Sequence, residues 1–200
     1  LERQIEQWSG PNGGWLEAPH YCMASYDQLV AYFWMAHLAG HNERIFDGKT
    51  KNVALWFAKI ATPPDARIQG WRHNPPIGNT YKFEPCGQYG LLAALWREND
   101  PALAAQMQWM HQQQGAFPTP GVGGFFAAFA GYRRIYTDGV DVLAQAPDWD
   151  SELFPKAGAV LRAHFPSDRE TMLYLIAGPF HDHYDKDSGS VTLWGKGRII

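Results

Sequence analysis

The chain has 200 residues, of which 46% are hydrophobic and 18% charged, so it can fold around a core rather than stay disordered. Its formal net charge of −3 argues against a nucleic-acid partner, because nucleic-acid binders are usually basic. No run of about eighteen apolar residues is present, so a membrane partner is not expected, whereas an anionic sugar could still bind in a small basic cleft.

The first part of the chain has the apolar rhythm of helices. From Tyr26, apolar residues recur at the i, i+3, i+4 and i+7 spacing, and Gly40 is a fitting end for this long helix. Thr50 is the predicted cap of the next helix, which the prolines at 63–64 should end.

Three more helices are predicted before residue 140. One covers residues 86–99, and Asp100 followed by Pro101 is a cap-then-first-turn pair that opens the next. Gly115 should end that helix, and a short further helix is predicted at 123–134.

From about residue 141 the rhythm changes to short apolar runs bounded by Pro, Gly and Asp, which predicts strands. The run at 171–176 is apolar on both alternating faces, as expected of a strand buried on both sides. The predicted fold class is therefore α+β, with a helical unit at 1–140, a sheet unit at 141–200 and a connection at 139–158. The predicted strands are 159–165, 171–178, 190–197 and 198–200.

The two ends of the chain resemble interrupted elements. The final RII is a buried-strand pattern with nothing after it to close a hairpin, and LERQIEQW reads as half of a helix. We therefore expect the 200 residues to be a fragment.

A long loop at 64–85 concentrates polar and aromatic residues between prolines and is predicted to be a structured site loop. In it, Arg72 and His73 could bind a substrate carboxylate or sulfate, Arg72 through a bidentate fork, or could form ordinary salt bridges. Trp71 and Tyr81 could stack on sugar rings, or pack in an aromatic core.

Glu17, His20 and Tyr21 form a cluster of ionisable side chains predicted to lie just before the long helix. A carboxylate, an imidazole and a phenol are suitable groups for general acid–base catalysis. They could equally cap and pack the helix start.

A second cluster, His181 and His183, directly follows a hydrophobic run. On an extended strand, two residues at this spacing point to one face, where imidazoles could share a metal or divide between a metal and a substrate. Asp185 and Asp187 continue this face. A polar hairpin with surface histidines is the alternative.

Together the two clusters resemble a known family. PNGGWLEAPHYCMASYDQLV, residues 11–30, resembles the D-G-x-x-x-E-x-x-x-Y stretch that opens a helix in the heparinase II/III-like polysaccharide lyases. Residues 154–200 resemble the start of their β-sandwich, and the H-x-H-Y-D-K block after a Gly-Pro strand is the most specific part. PPIGNTYKF, residues 75–83, is similar to their P-x-x-G-D loop.

The resemblance implies an incomplete α/α helical toroid followed by the first strands of an antiparallel β-sandwich. It implies an enzyme that cleaves an anionic, uronic-acid-containing polysaccharide by β-elimination and works in the periplasm or outside the cell. Tyr21 matches the catalytic tyrosine, and His181 matches a histidine that enters the site. His183 matches a ligand of a structural zinc. Glu17 and Asn79, in the matched motifs, are predicted to bind substrate.

Three departures from the family pattern stand out. Asn79 occupies the usual position of an Asp, and the family's histidine after the catalytic tyrosine is replaced by Cys22, with His20 before it instead. We take His20 as an assisting catalytic residue. The group that neutralises the substrate carboxylate and the other zinc ligands are expected outside these residues, so the isolated chain should be inactive.

Two other functions stay open. A glycoside hydrolase would need two flanking carboxylates, for which Glu17 with Asp185 or Asp187 are the candidates. A non-catalytic carbohydrate-binding relative would keep the fold without the reaction. Cys22 and Cys86 lack the C-x-x-C spacing, and a bridge between them is left open.

Overall fold

The computed structural model describes residues 2–116, 141–179 and 187–200. Within them, helices precede an antiparallel sheet, which confirms the α+β class. The helices are α1 (Glu2–Trp8), α2 (Pro19–Leu38), α3 (Gly48–Ile60), α4 (Tyr89–Trp96) and α5 (Pro101–Gln113), with 3-10 turns at Arg44–Phe46 and Ala66–Ile68. The strands are β1 (Glu152–Phe154), β2 (Gly158–Ala163), β3 (Thr171–Ile176), β4 (Val191–Gly195) and β5 (Arg198–Ile199).

Helix α2 begins at Pro19, seven residues before the predicted start at Tyr26. Proline suits the first helical position because its fixed φ is already helical and it has no N–H to satisfy there. His20 and Tyr21 therefore lie within the first turn of α2 rather than ahead of it, and the helix ends at Leu38, just before Gly40 as predicted.

Helix α3 is capped by Asp47, so the prediction of Thr50 as the cap is wrong. The Asp47 carboxylate accepts a hydrogen bond from the Thr50 backbone N–H at 2.8 Å, while the Thr50 hydroxyl donates to the Arg44 carbonyl at 2.8 Å. Aspartate three residues before a free N–H is well placed for this role. The helix ends at Ile60, before the two prolines.

Helices α4 and α5 follow the prediction more closely. All eight residues of α4 are buried, and the helix is shorter than the predicted 86–99. Asp100 caps α5 as predicted, accepting a hydrogen bond from the Leu103 N–H at 3.0 Å. The helix predicted at 123–134 lies outside the described residues, and the domain boundary near residue 140 stays a prediction.

The five strands form an antiparallel meander in the order β1-β2-β3-β4-β5. Strand β1 lies inside the stretch predicted to be a connection. Its three residues form a strand because they pair with β2, from Glu152 opposite Val160 to Phe154 opposite Gly158. Gly158 has a φ of +142°, and a Cβ there would lie 1.9 Å from the Leu175 carbonyl oxygen, so this close approach of strands requires glycine.

Strand β3 is buried on one face only, which corrects the prediction of burial on both. Met172, Tyr174 and Ile176 are buried, Leu173 and Leu175 are half-buried, and Thr171 is exposed. The buried face packs with the helices in a single core cluster, which includes the sheet residues Phe154, Val160, Met172, Tyr174 and Trp194 and the helical residues Trp56 and Phe57. None of the described helices is long and apolar enough to cross a membrane.

Candidate active site

Tyr21 lies half-buried in the first turn of α2. The chain reaches this turn through Gly13, whose φ is +89° and where a Cβ would lie 1.9 Å from the Asn52 carbonyl oxygen, so the approach to α3 requires glycine. Glu17 is 4% exposed and accepts a hydrogen bond from the indole N–H of the fully buried Trp15 at 3.3 Å. Local packing therefore fixes the segment that leads into Tyr21.

His20 is enclosed by the loop between α3 and α4. Its Nδ1 lies 2.7 Å from a carboxylate oxygen of Glu84, and its backbone N–H donates to the Thr80 hydroxyl at 3.3 Å. The His20 ring makes edge-to-face contacts with Tyr81 on one side and Tyr21 on another, at centroid distances of 4.7 and 5.1 Å. Two segments far apart in sequence thus meet at His20.

Tyr81 is the most exposed member of this group, with 56% of its surface accessible. Its ring therefore covers His20 on one side and is open to solvent elsewhere. An exposed aromatic ring beside a half-buried phenol is a surface on which a sugar ring can stack.

The Gly-containing turn of the same loop contacts the segment that follows the H-x-H block. The Gly78 backbone N–H donates to the Asp187 carboxylate at 3.2 Å, and Asn79 next to it is half-buried. His181, His183 and Asp185 lie outside the described residues. The contact at Asp187 nevertheless brings the P-x-x-G loop to the residue that directly follows the H-x-H-Y-D-K block in the sequence.

A separate cavity of about 260 Å³ is lined by Trp71, Arg72 and His73. Its other lining residues are Ile68, Phe83, Pro85 and Gln114. Of the predicted substrate-binding residues, Glu17, Asn79 and Tyr81 thus lie on the segments that meet around Tyr21 and His20. Trp71, Arg72 and His73 form a separate group along the loop.

Arg72 is already engaged by a buried carboxylate. It is 2% exposed, and its guanidinium binds both oxygens of Glu170, at 3.2 and 2.5 Å. Arg162 in β2 binds the same Glu170 at 2.6 Å and also donates to the carbonyls of Lys59 and Ala61. Burial lowers the pKa of Arg162 to about 10, against the opposing effect of Glu170.

His73 is likewise held inside the protein. It is 2% exposed, its Nε2 lies 3.1 Å from Asp65, and its Nδ1 lies 2.7 Å from the Asn74 carbonyl. Burial acts to raise the pKa of Asp65, but hydrogen bonds from Arg67 and His73 outweigh it and lower that pKa to about 2. Arg72 and His73 therefore have structural partners, and their predicted binding of substrate stays a prediction.

Cys22 and Cys86 are both free and buried. Burial raises the pKa of the Cys22 thiol well above its usual value, and the nearby Glu17 and Cys86 raise it further. Cys22 is therefore a neutral thiol at neutral pH. It cannot replace the acid–base function of the histidine that the family pattern has at this position.

Sequence reasoning did not identify Glu84, which is 4% exposed and pairs with His20 across 64 positions of sequence. No local motif marks this residue, because only the folding of the loop over α2 brings the carboxylate to the imidazole. Among residues 2–116, 141–179 and 187–200, no group of three or more His, Cys, Asp or Glu side chains is arranged to hold a metal ion.

Helices followed by an antiparallel meander form a fold that solved structures share. No family model matches the chain, and no curated protein matches it. Among solved structures, a heparinase III with methylated lysines aligns with 100% of this chain at 19% identity and a TM-score of 0.63. A heparan sulfate lyase HepC mutant from Pedobacter heparinus aligns with 99% at 16% identity and a TM-score of 0.61.

A further structure of heparinase III aligns with 98% of the chain at 16% identity and a TM-score of 0.62. The chain spans about a quarter of these proteins, 26% to 28% of their length. The resemblance read from the sequence is thus confirmed at the level of the fold. Closure of the helices into a toroid and pairing of the sheet into a sandwich stay predictions.

Proposed function

We propose that this chain carries part of the active site of a polysaccharide lyase that cleaves a uronic-acid-containing polysaccharide by β-elimination. The observation that supports this most directly is the position of Tyr21. It lies half-buried beside the His20–Glu84 pair, in a fold shared with heparinase III and on the motif that resembles the catalytic tyrosine.

The chemistry asks for a group that first takes and then gives a proton. In β-elimination the C5–H bond of the uronic acid breaks, the C4=C5 double bond forms, and the C4–O4 bond breaks as O4 leaves with a proton. The Tyr21 phenolate would accept the C5 proton and then return it to O4. His20 would assist by holding the proton that leaves the phenol.

The predicted substrate-binding residues complete this proposal. Tyr81 would stack on a sugar ring, and Glu17 and Asn79 would contact hydroxyl groups near Tyr21. Trp71, Arg72 and His73 would contribute farther along the loop. The polymer would be an anionic polysaccharide such as a glycosaminoglycan, because the solved structures with this fold are lyases named for heparin and heparan sulfate.

Two parts of the proposal rest on residues outside the described part of the chain. His181 would enter the site as a second catalytic histidine. His183 would bind a zinc with ligands from elsewhere, and we assign the zinc no step in the reaction because the resemblance implies that it is structural. A periplasmic or secreted location belongs to the same proposal.

The test is elimination itself. We would incubate the full-length protein with a panel of polyuronates and follow the ultraviolet absorbance of the C4=C5 double bond, which hydrolysis does not create. Tyr21→Phe should lower the rate by about 10²-fold to 10⁴-fold, the usual contribution of a general acid–base group. Tyr32→Phe is the matched control, because Tyr32 lies on the same helix and is 46% exposed.

Three results would overturn the proposal. Reducing ends that appear without the absorbance would indicate a hydrolase, and an active Tyr21→Phe variant would remove the tyrosine from the reaction. Binding of a polymer without any product would indicate a carbohydrate-binding protein.

A further inference from the structure

The His20–Glu84 pair has a feature that the other buried carboxylates of the site region lack. The two side chains are 9% and 3% exposed, and Glu84 Oε1 lies 2.7 Å from His20 Nδ1. The second oxygen of Glu84 has no hydrogen-bond partner among the described residues. Within that part of the chain, His20 is therefore the one charged or polar side chain that this carboxylate binds.

The comparison with His73 shows why this matters. His73 also lies beside a buried carboxylate, that of Asp65, but Arg67 binds the same carboxylate through its Nε and Nη2. A cation that is always charged thus neutralises Asp65. No arginine or lysine in the described residues does the same for Glu84, so among them its carboxylate binds His20 with no permanent cation beside it.

The hydrogen-bond chemistry of the pair determines which nitrogen of His20 carries the proton. An ionised carboxylate only accepts hydrogen bonds, so His20 Nδ1 must donate and must carry a hydrogen. Nε2 is then the ring nitrogen that can accept or release a proton. The groups facing the ring in the described structure are Glu84 and Tyr81 from the loop and Tyr21 from its own helix.

A carboxylate that holds an imidazole in one tautomer and stabilises the imidazolium formed in the reaction is a well-understood catalytic arrangement. Here the imidazole lies against Tyr21, and the neutral thiol of Cys22 follows that tyrosine. We propose that Glu84 is a positioning residue that fixes His20 in its Nδ1–H form, so that Nε2 can take up the proton that Tyr21 releases. This inference rests on the proposed function.

The proton balance is simple. The Tyr21 O–H bond breaks and a His20 Nε2–H bond forms, which gives a phenolate and an imidazolium whose charge Glu84 stabilises. The phenolate then takes the C5 proton and passes it to O4, and the imidazolium returns its proton to restore the phenol after release of product. No oxidant, reductant or further reactant is needed.

The first readout needs no activity. With histidine selectively labelled in the full-length protein, nitrogen NMR reports which ring nitrogen of neutral His20 carries the hydrogen, and His20→Gln identifies the signal by removing it. We expect Nδ1–H in the wild type. The opposite tautomer in the wild type would overturn the proposal.

The second readout is the variant Glu84→Gln. An amide can donate to an unprotonated Nδ1, so the Nδ1–H form should no longer be enforced, as happens when a triad carboxylate is replaced by an amide. We expect loss of the Nδ1–H form and a kcat lower by about 10²-fold, with KM nearly unchanged. Glu84→Asp, which keeps the charge, should recover part of the rate.

The matched control is Glu43→Gln. A carboxylate oxygen of Glu43 lies 2.9 Å from Nδ1 of His37 at the other end of α2, and the Glu43 side chain is 70% exposed. This variant should leave the His20 tautomer and kcat unchanged.

Failure of this inference can be told apart from failure of the proposed function. A wild type that produces no double bond on any polyuronate would refute the lyase, while the tautomer of His20 would still decide the role of Glu84. An active wild type whose kcat and tautomer survive Glu84→Gln would refute the positioning role alone.

Discussion

Two buried carboxylates, Glu170 and Glu84, show how one side-chain type serves different ends in this protein. Glu170 accepts three hydrogen bonds from Arg72 and Arg162, and those arginines also bind backbone carbonyls and lie against the ring of Phe165. Glu84 binds one imidazole, and its second oxygen has no hydrogen-bond partner in the described part of the chain.

The difference lies in what each carboxylate connects. Glu170 joins the loop after α3 to strand β2 through Arg72 and Arg162. Both arginines neutralise its charge, so this ionic cluster holds the helical part and the sheet together. Glu84 binds His20, a group that can change its protonation and whose ring contacts the exposed ring of Tyr81. A saturated cluster stabilises an architecture, whereas a carboxylate with a single titratable partner is suited to controlling a proton.

Glu170→Gln should have the largest effect on stability, because it leaves two buried arginines with a neutral partner. Removing one member of a buried ionic group typically costs about 3–5 kcal/mol. The free energy of unfolding, measured by urea denaturation, should fall by that amount.

The control for Glu170→Gln is Glu152→Gln. Glu152 also joins helix and sheet, binding Lys59 at 2.5 Å, but the two side chains are 28% and 22% exposed. Because water reaches both side chains and screens their charges, the loss of this pair should cost under about 1 kcal/mol. Equal losses in the two variants would mean that burial does not separate the two kinds of carboxylate.

Acid should lower the stability of the protein because it protonates Asp65, which lies in the loop after α3. Because the pKa of Asp65 is lowered from 3.8 to about 2 in the folded protein, its stabilising contribution is complete above pH 4 and is lost as the pH falls toward 2. The contribution is about 2 kcal/mol, at roughly 1.4 kcal/mol per pKa unit. The free energy of unfolding measured against pH should fall less steeply over this range in Asp65→Asn, and parallel curves would contradict the prediction.

Local signals in the sequence were sufficient for most elements of the fold. The pair Asp100–Pro101 identified the start of α5, and alternating apolar runs identified β2, β3 and β4. Strand β1 is not predicted because three residues are too few to show an alternating apolar pattern, and pairing with β2 is what orders them. The cap of α3 is Asp47 rather than the predicted Thr50, because both residue types can cap a helix and only the backbone geometry decides which one does.

The sequence indicates which candidate residues lie together where a motif spans a few positions, and it does not do so where folding joins distant ones. Tyr21 and Glu17 stand in one short motif. Glu84 gave no signal because its partner lies on another element, and the sequence could not tell that Arg72 is satisfied by Glu170, 98 residues away. The partners of a buried ion pair meet only in the folded protein, so composition and local spacing do not reveal the pair.

Glu84→Gln should have the smallest effect on stability, and this result would sharpen the contrast with Glu170 most directly. The amide can still form one hydrogen bond with His20 Nδ1, as donor or as acceptor, and the second position of the side chain has no hydrogen bond among the described residues to lose. We therefore expect a change in unfolding free energy of under about 1 kcal/mol, the net worth of one hydrogen bond. The same substitution should cost several times more at Glu170. Urea denaturation of the two variants therefore compares the change in unfolding free energy for one chemical change at two buried carboxylates. A loss of about 3 kcal/mol at Glu84 would make it a second structural carboxylate and would assign any fall in kcat to the fold rather than to the orientation of His20.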